Sequence, residues 1–230
     1  MKINTIAVPA LLGMLAFIAA CGGSSVAVTS IPPTPTQSAP IIETTSLLES
    51  GTRLTVVEGT TATYRVTEEL AGIGFPTDAV GTTELVAGSI AFDDNGEVVS
   101  ESSKLSVDLR GLKSDDGRRD NYIRQNTLQT SQFPMAELVI TKVEGLNFPL
   151  PVTGEATFQI IGDLTIRGIT KSLFWDVMVN FSENAIAGTA STEFTFQDYD
   201  MTPPRVFLVL SVEDEIRLQV DFTMTVDRAE

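Results

Sequence analysis

The chain has 230 residues, enough for one sizeable domain with a full core and no need of disulfides or metals. Its 30 Asp and Glu against 15 Lys and Arg give a formal charge of −15, which argues against nucleic acid as a partner, because phosphate backbones are bound by positive charge. With no His and one Cys it has no Ser-His-Asp or Cys-His catalysis, no His-ligated metal, no zinc finger, no iron–sulfur cluster and no internal disulfide.

Residues 1–20 have the layout of an export signal. Lys2 precedes an apolar run from Ile6 to Ile18, too short for a comfortable membrane span and with no basic flank behind it. The run ends in Ile18-Ala19-Ala20-Cys21, which resembles the bacterial lipobox, where small residues admit the peptidase and the thiol accepts a diacylglyceryl group. The expectation is a lipoprotein held to a membrane through Cys21. Residues 21–46 are rich in Ser, Thr and Pro and read as a partly extended tether. The folded domain is expected over residues 47–230.

From Leu47 onward a period of two dominates. Strands are expected over Thr61–Glu68, Leu85–Asp93, Ala136–Val143, Gly154–Ile161 and Asp163–Arg167. Leu105, Val107 and Leu109 alternate with Ser106, Asp108 and Arg110. Leu173, Trp175, Val177, Val179 and Phe181 share one strand face. Phe174 and Met178 stand on the other, so covering on both sides is expected there. Ile186 to Phe196 and Ile216 to Val226 continue the pattern; Leu218, Val220 and Phe222 fall on one face of the latter. Asp94-Asn95-Gly96 is a hairpin signal, and Gly145, Gly162 and Gly168 punctuate the later strands. Ser114 to Leu128 lacks alternation and reads as a short helix with Ser114 as its N-cap. Arg205–Val212 fits either a strand or a helical turn. So many one-sided strands suit a sandwich or a closed barrel, and an eight-stranded barrel is either filled by side chains or holds one small ligand.

Several segments carry a family resemblance. Arg118-Arg119-Asp120-Asn121-Tyr122-Ile123, followed by Gln132-Phe133-Pro134-Met135-Ala136, resembles the helix and aromatic-Pro step of YceI-like proteins. Gly162-Asp163-Leu164-Thr165-Ile166-Arg167-Gly168-Ile169-Thr170-Lys171 is similar to their Gly-Asp-Leu-Thr-Ile-His-Gly-Val-Thr-Lys motif, with Arg167 where the His is usual. Gly88-Ser89-Ile90-Ala91-Phe92-Asp93 resembles their early strand, and Ser106-Val107-Asp108-Leu109 with Leu112 the next. Leu70–Thr82 is longer than the family's usual early turn, and Asp198–Pro204 is also unusual. The resemblance runs from about Thr61 to Val226. It implies an all-β fold, a lipocalin-like antiparallel β-barrel of about eight strands with one or two short helices. It also implies an apolar interior that holds an isoprenoid or other long-chain lipid.

On that reading Leu105, Val107, Leu109, Phe158, Trp175, Val177, Phe194, Phe196, Leu218, Val220 and Phe222 are the candidates to line the interior, with plain core packing as the alternative for each. Arg119 and Lys171 are headgroup candidates. Pairing of Arg119 with a carboxylate such as Asp120 or Asp163, or its capping of a strand end, and a solvated turn for Lys171, are the alternatives. The adjacent carboxylates Glu68-Glu69, Asp93-Asp94 and Asp115-Asp116 read as solvated or capping groups. Asp93 to Glu97 lacks calcium-loop spacing. No P-loop, G-x-S-x-G or S-x-x-K is present. No catalytic residue, metal or cofactor is expected. The expected protein is a lipid-anchored cell-envelope carrier, buffer or sensor, facing the periplasm or cell exterior. Its partners are a long-chain lipid and, through Cys21, a membrane; a homodimer stays open. The alternative is an envelope interaction module with a filled barrel and no ligand.

Overall fold

The computed structural model describes residues 51–205, 207 and 209–228. Cys21, the export signal and the tether lie outside these residues. The chain divides into two units, Met1–Thr45 and Ser46–Glu230, and the second carries the architecture below. Its strands are β1 (Thr52–Val56), β2 (Thr61–Leu70), β3 (Thr77–Thr83), β4 (Val86–Phe92), β5 (Lys104–Asp108) and β6 (Lys113–Ser114). After the helix α1 (Gly117–Tyr122) come β7 (Met135–Glu144), β8 (Gly154–Ile166), β9 (Ile169–Ser182), β10 (Ala185–Thr195), β11 (Val209–Val212) and β12 (Glu215–Arg228).

Eight strands form a ring in the order β1-β4-β5-β7-β8-β9-β10-β12, and β12 pairs back onto β1. All of these pairs are antiparallel, so the fold is a closed barrel with hydrogen bonds replacing open edges. The other four strands extend the wall. β2 pairs with β12 from Arg65↔Arg217 to Thr61↔Asp221, where β1 has stopped. β3 pairs with β2 and β6 with β3. Thus β2, β3 and β6 carry the lines of β1, β4 and β5 past a break in each, and β11 pairs with the far end of β2. At the β1–β2 break the buried Thr60 hydroxyl takes the place of a ladder partner. It accepts from the Thr223 N–H at 3.0 Å and lies 3.0 Å from the Val57 carbonyl to which it donates.

Three expectations change. Gly162 does not break a strand: β8 runs through it, opposite Leu173, as one half of the longest hairpin. A Cβ at Gly162 would come within 2.6 Å of Leu138 Cδ1, so the glycine serves close packing and not a turn. The turn of that hairpin is Arg167-Gly168, with φ of +53° and +76°, the two positive values a two-residue connection with matching twist requires. Second, Asp116 and not Ser114 caps α1, its carboxylate accepting from the Arg118 N–H at 2.8 Å. Ser114 sits in β6 and donates from its hydroxyl to Asp120 at 2.7 Å. Third, β9 is covered on one side only, for Phe174 and Met178 are 63% and 62% exposed on the barrel's outside.

The segment read as a long turn contains β3, whose small residues hid it. Gly81 in it is buried because the Tyr64 ring of β2 occupies the place of a Cβ. The undecided stretch before β12 is strand over Val209–Val212. The core follows the inward alternation: Ile160, Leu164 and Ile166 from β8, Trp175, Val177, Val179 and Phe181 from β9, Phe194 from β10, and Ile216, Met224 and Val226 from β12 are all buried.

Candidate functional site

The barrel interior is not solid. A cavity of about 160 Å³ occupies one part and a second of about 70 Å³ the other. Val86, Leu105, Leu138, Trp175 and Val220 line both, so the two adjoin. Strand alternation explains their character, because every second residue of a barrel strand faces in and here those residues are almost all aliphatic or aromatic.

The structure brings all eleven interior candidates to these walls. Leu105, Val107, Leu109, Trp175, Phe194, Phe196, Leu218 and Val220 line the larger cavity. Phe158, Val177 and Phe222 line the smaller, where Leu105, Trp175 and Val220 recur. Leu109, Trp175, Val177, Phe194 and Phe196 are also buried core. Leu105, Val107, Phe158, Leu218, Val220 and Phe222 are only half-buried although they face inward. If such apolar space were empty it would be costly: at about 24 cal/mol per Å³ the larger cavity would cost about 4 kcal/mol and the smaller about 2 kcal/mol. That is a large share of the roughly 5–15 kcal/mol that holds a domain together.

One end of the larger cavity is polar. On β2 the inward positions run Ala62, Tyr64, Val66 and Glu68, and Glu68 meets Arg119 of α1. Arg119 joins Glu68 by one terminal nitrogen and Asp115 by the other, the latter at 2.6 Å. Glu68 and Arg119 are 6% and 11% exposed at their side chains, while Asp115 is 87% exposed. The guanidinium therefore staples α1 to β2 and carries a buried charge out toward water. Burial works against that charge, but Glu68 and Asp115 more than offset it and hold the guanidinium above its ordinary pKa. Burial pushes the Tyr64 phenol up to about 12, with Arg119 pulling it the other way.

Arg119 thus pairs with neither Asp120 nor Asp163. Asp120 instead accepts from the Ser114 N–H and hydroxyl. Glu68, read as a solvated member of an acidic pair, is the buried one of the two. Lys171 is exposed and lines neither cavity; its charge lies near Asp198 and contributes to lowering that carboxyl's pKa, though the Thr195 hydroxyl and N–H do more. Period-two reading missed Leu112, Ile123 and Leu128, which line the larger cavity from outside any long strand. It also passed over Ala136, Leu138 and Leu164, whose alternation in β7 and β8 was available. Among the described residues no group of three or more His, Cys, Asp or Glu is placed to hold a metal.

Comparison with known proteins gives the chain a context. The model of the YceI-like domain matches residues 56–224. A UPF0312 protein of Pseudomonas putida (strain W619) is 36% identical over 83 residues, which cover 35% of this chain and 40% of that protein. A UPF0312 protein of Vibrio vulnificus is 28% identical over 94 residues, covering 40% of this chain and 46% of that one. The matched stretch thus spans less than half the length of these relatives. Among solved structures, a polyisoprenoid binding domain from Saccharophagus degradans implicated in plant cell wall breakdown superposes with a TM-score of 0.59 at 11% identity, covering 76% of this chain and 98% of that one. BcnA of Burkholderia cenocepacia gives 0.51 at 14% identity, covering 73% and 96%. At such identities the likeness is one of fold.

Proposed function

This chain belongs to the YceI-like family, and from that premise we propose that its barrel binds a long apolar lipid, an isoprenoid first among them. The observation that carries the reading is the pair of adjoining apolar cavities inside a closed barrel. A branched hydrocarbon chain laid through them would remove apolar wall from water at roughly 25 cal/mol per Å², less the cost of ordering the chain. The S. degradans domain, whose description names polyisoprenoid binding, supports the choice of ligand class.

On this reading the protein is a carrier, buffer or sensor and not an enzyme, and its lining offers packing surface with few reactive groups. The lipobox-like Ile18-Ala19-Ala20-Cys21 supports anchoring through a lipidated Cys21 and a place in the cell envelope. Two or more acyl chains would hold it stably. Mass spectrometry of the Ser46–Glu230 unit under non-denaturing conditions, followed by extraction, tests the binding. A stoichiometric long-chain lipid is the expected adduct. A clean mass that added prenyl lipids do not alter would overturn the proposal.

A further inference from the structure

Large apolar side chains left in water gather at one end of the barrel. Phe75 in the β2–β3 turn is 68% exposed, Phe207 and Leu210 around the start of β11 are 85% and 70% exposed, and Ile73 joins them. β11 pairs with the far end of β2 at Val209↔Leu70, antiparallel, so the chain entering β11 comes in beside the β2–β3 turn. That turn stands clear of the wall: at Gly72 and Gly74 a Cβ would meet nothing within 4 Å. Single apolar residues on a surface need no explanation, but a group on two neighbouring projections marks a contact with a protein or a membrane.

Three observations favour a membrane. The first is charge. Leu70–Thr77 and Met201–Val212 contain no carboxylate, in a chain with 30 Asp and Glu, and their single charge is the exposed Arg205. The carboxylates behind the tips are engaged, Glu69 by the Ser211 hydroxyl and Asp78 by Arg217. An apolar tip with one cation beside it suits a bilayer surface, where apolar burial and attraction to lipid phosphate add. The second is area. At about 150–250 Å² for a bare aromatic side chain, these four groups offer roughly half of the ~800 Å² per partner that a stable protein interface takes. The third is position: Glu68, Pro204 and Val212, each within a few residues of a tip, line the larger cavity. We propose that the β2–β3 turn and the entry to β11 dock on a lipid bilayer, and that lipid passes from it into the adjoining end of the larger cavity without crossing water. This rests on the lipid-binding reading and adds to it the face by which the ligand enters. Anchoring through Cys21 would allow it. An extended chain as long as Cys21 to Gly51 reaches about 100 Å, roughly twice the length of the 14-residue β12.

The test places a tryptophan at Phe75, and another at Phe174 on the barrel's outer wall as control, each in the full chain. Both positions are exposed, so neither change threatens the fold. Emission is read on vesicles of phosphatidylcholine and phosphatidylglycerol, with and without bromine on the acyl chains, since bromine quenches an indole that enters the hydrocarbon. The wild type, with Trp175 alone, sets the baseline. Phe75→Trp is expected to lose most of its added emission and Phe174→Trp to keep it. Adding Ile73→Ser and Phe207→Ser to Phe75→Trp should abolish the loss. Unquenched Phe75→Trp, on chains from which a prenyl lipid is extracted, would overturn the docking face and leave the lipid-binding reading standing. Equal quenching at both positions would show that the membrane does not select these tips, and would overturn it too. A blue shift of Phe75→Trp that grows with protein concentration in the absence of vesicles would give the tips to a second copy of the chain instead. Quenching at Phe75→Trp on chains that neither carry nor take up prenyl lipid would bring down the lipid-binding reading, and the entry role with it.

Discussion

Ala136→Phe separates a ligand-holding barrel from a filled one by the sign of its effect. Ala136 lies on β7 opposite Val107, is 8% exposed and lines the larger cavity. The substitution adds a phenyl ring to a space of about 160 Å³. Apolar cavities of roughly 150 Å³ accept benzene, so the ring has room. Filling the whole cavity would return about 4 kcal/mol. A ring fixed to one backbone position fills it imperfectly, and about half that gain is the reasonable expectation. For a domain of this size about 2 kcal/mol raises the melting temperature by roughly 4–8 °C. Calorimetry of delipidated wild type and variant reads this directly, and extraction of both, isolated from the same host, reads lipid content. The variant should be more stable when empty, carry little lipid, and gain nothing from added prenyl lipid. If the interior is well packed in solution, the ring overpacks it. The variant then loses about 1–3 kcal/mol with its lipid content unchanged, and the cavity argument is wrong.

Glu68→Gln strips Arg119 of its buried partner and should cost about 3–5 kcal/mol in a urea titration, toward the lower end because Asp115 remains. Pairing it with Arg119→Met should cost clearly less than the two singles combined; strict additivity would mean the groups do not interact. Tyr64 sets an alkaline limit. Below pH 10 its phenol is neutral in both states. Above that the unfolded chain ionises while the folded one, at about 12, does not, so stability falls across pH 10 to 12 by about 3 kcal/mol. Tyr64→Phe should remove that part of the loss, and an unchanged alkaline slope would show the phenol to be solvated. Cys21→Ser should move the protein from the membrane to the soluble fraction; retention at the membrane would end the lipobox reading.

An all-β domain was legible from alternation before any coordinates, with sandwich and barrel both open; the barrel came from the resemblance to YceI-like proteins. Alternation in β9 and β12 is a local property, since a strand half in water must place apolar groups at every second residue. Nine of the eleven interior positions lie in strands and follow that rule, Leu109 and Phe196 come just past the ends of β5 and β10, and each of the eleven stands on a cavity wall. Alternation failed where the strand was made of small residues, as in β3, and where a glycine served packing, as at Gly162. It was silent on Leu112, Ile123 and Leu128, which reach the cavity from turns and helix.

Period and composition therefore settled that the domain is all-β and which strand faces are apolar, because both depend on residues within a few positions of one another, and they left sandwich against barrel to the family resemblance. Whether those faces meet or leave space depends on the ring's circumference and on which side chains oppose one another across it. That is decided only when β12 closes onto β1, more than 160 positions away along the chain. The same holds for the buried charges. Glu68 and Glu69 look alike in sequence, and one is taken out of water because α1 delivers Arg119 to it from 51 residues away. The buried nitrogens of Arg119, Arg167 and Trp175 that have no hydrogen-bond partner among the described residues belong to this second kind of knowledge. An indole or a guanidinium is an ordinary residue until folding has placed its neighbours.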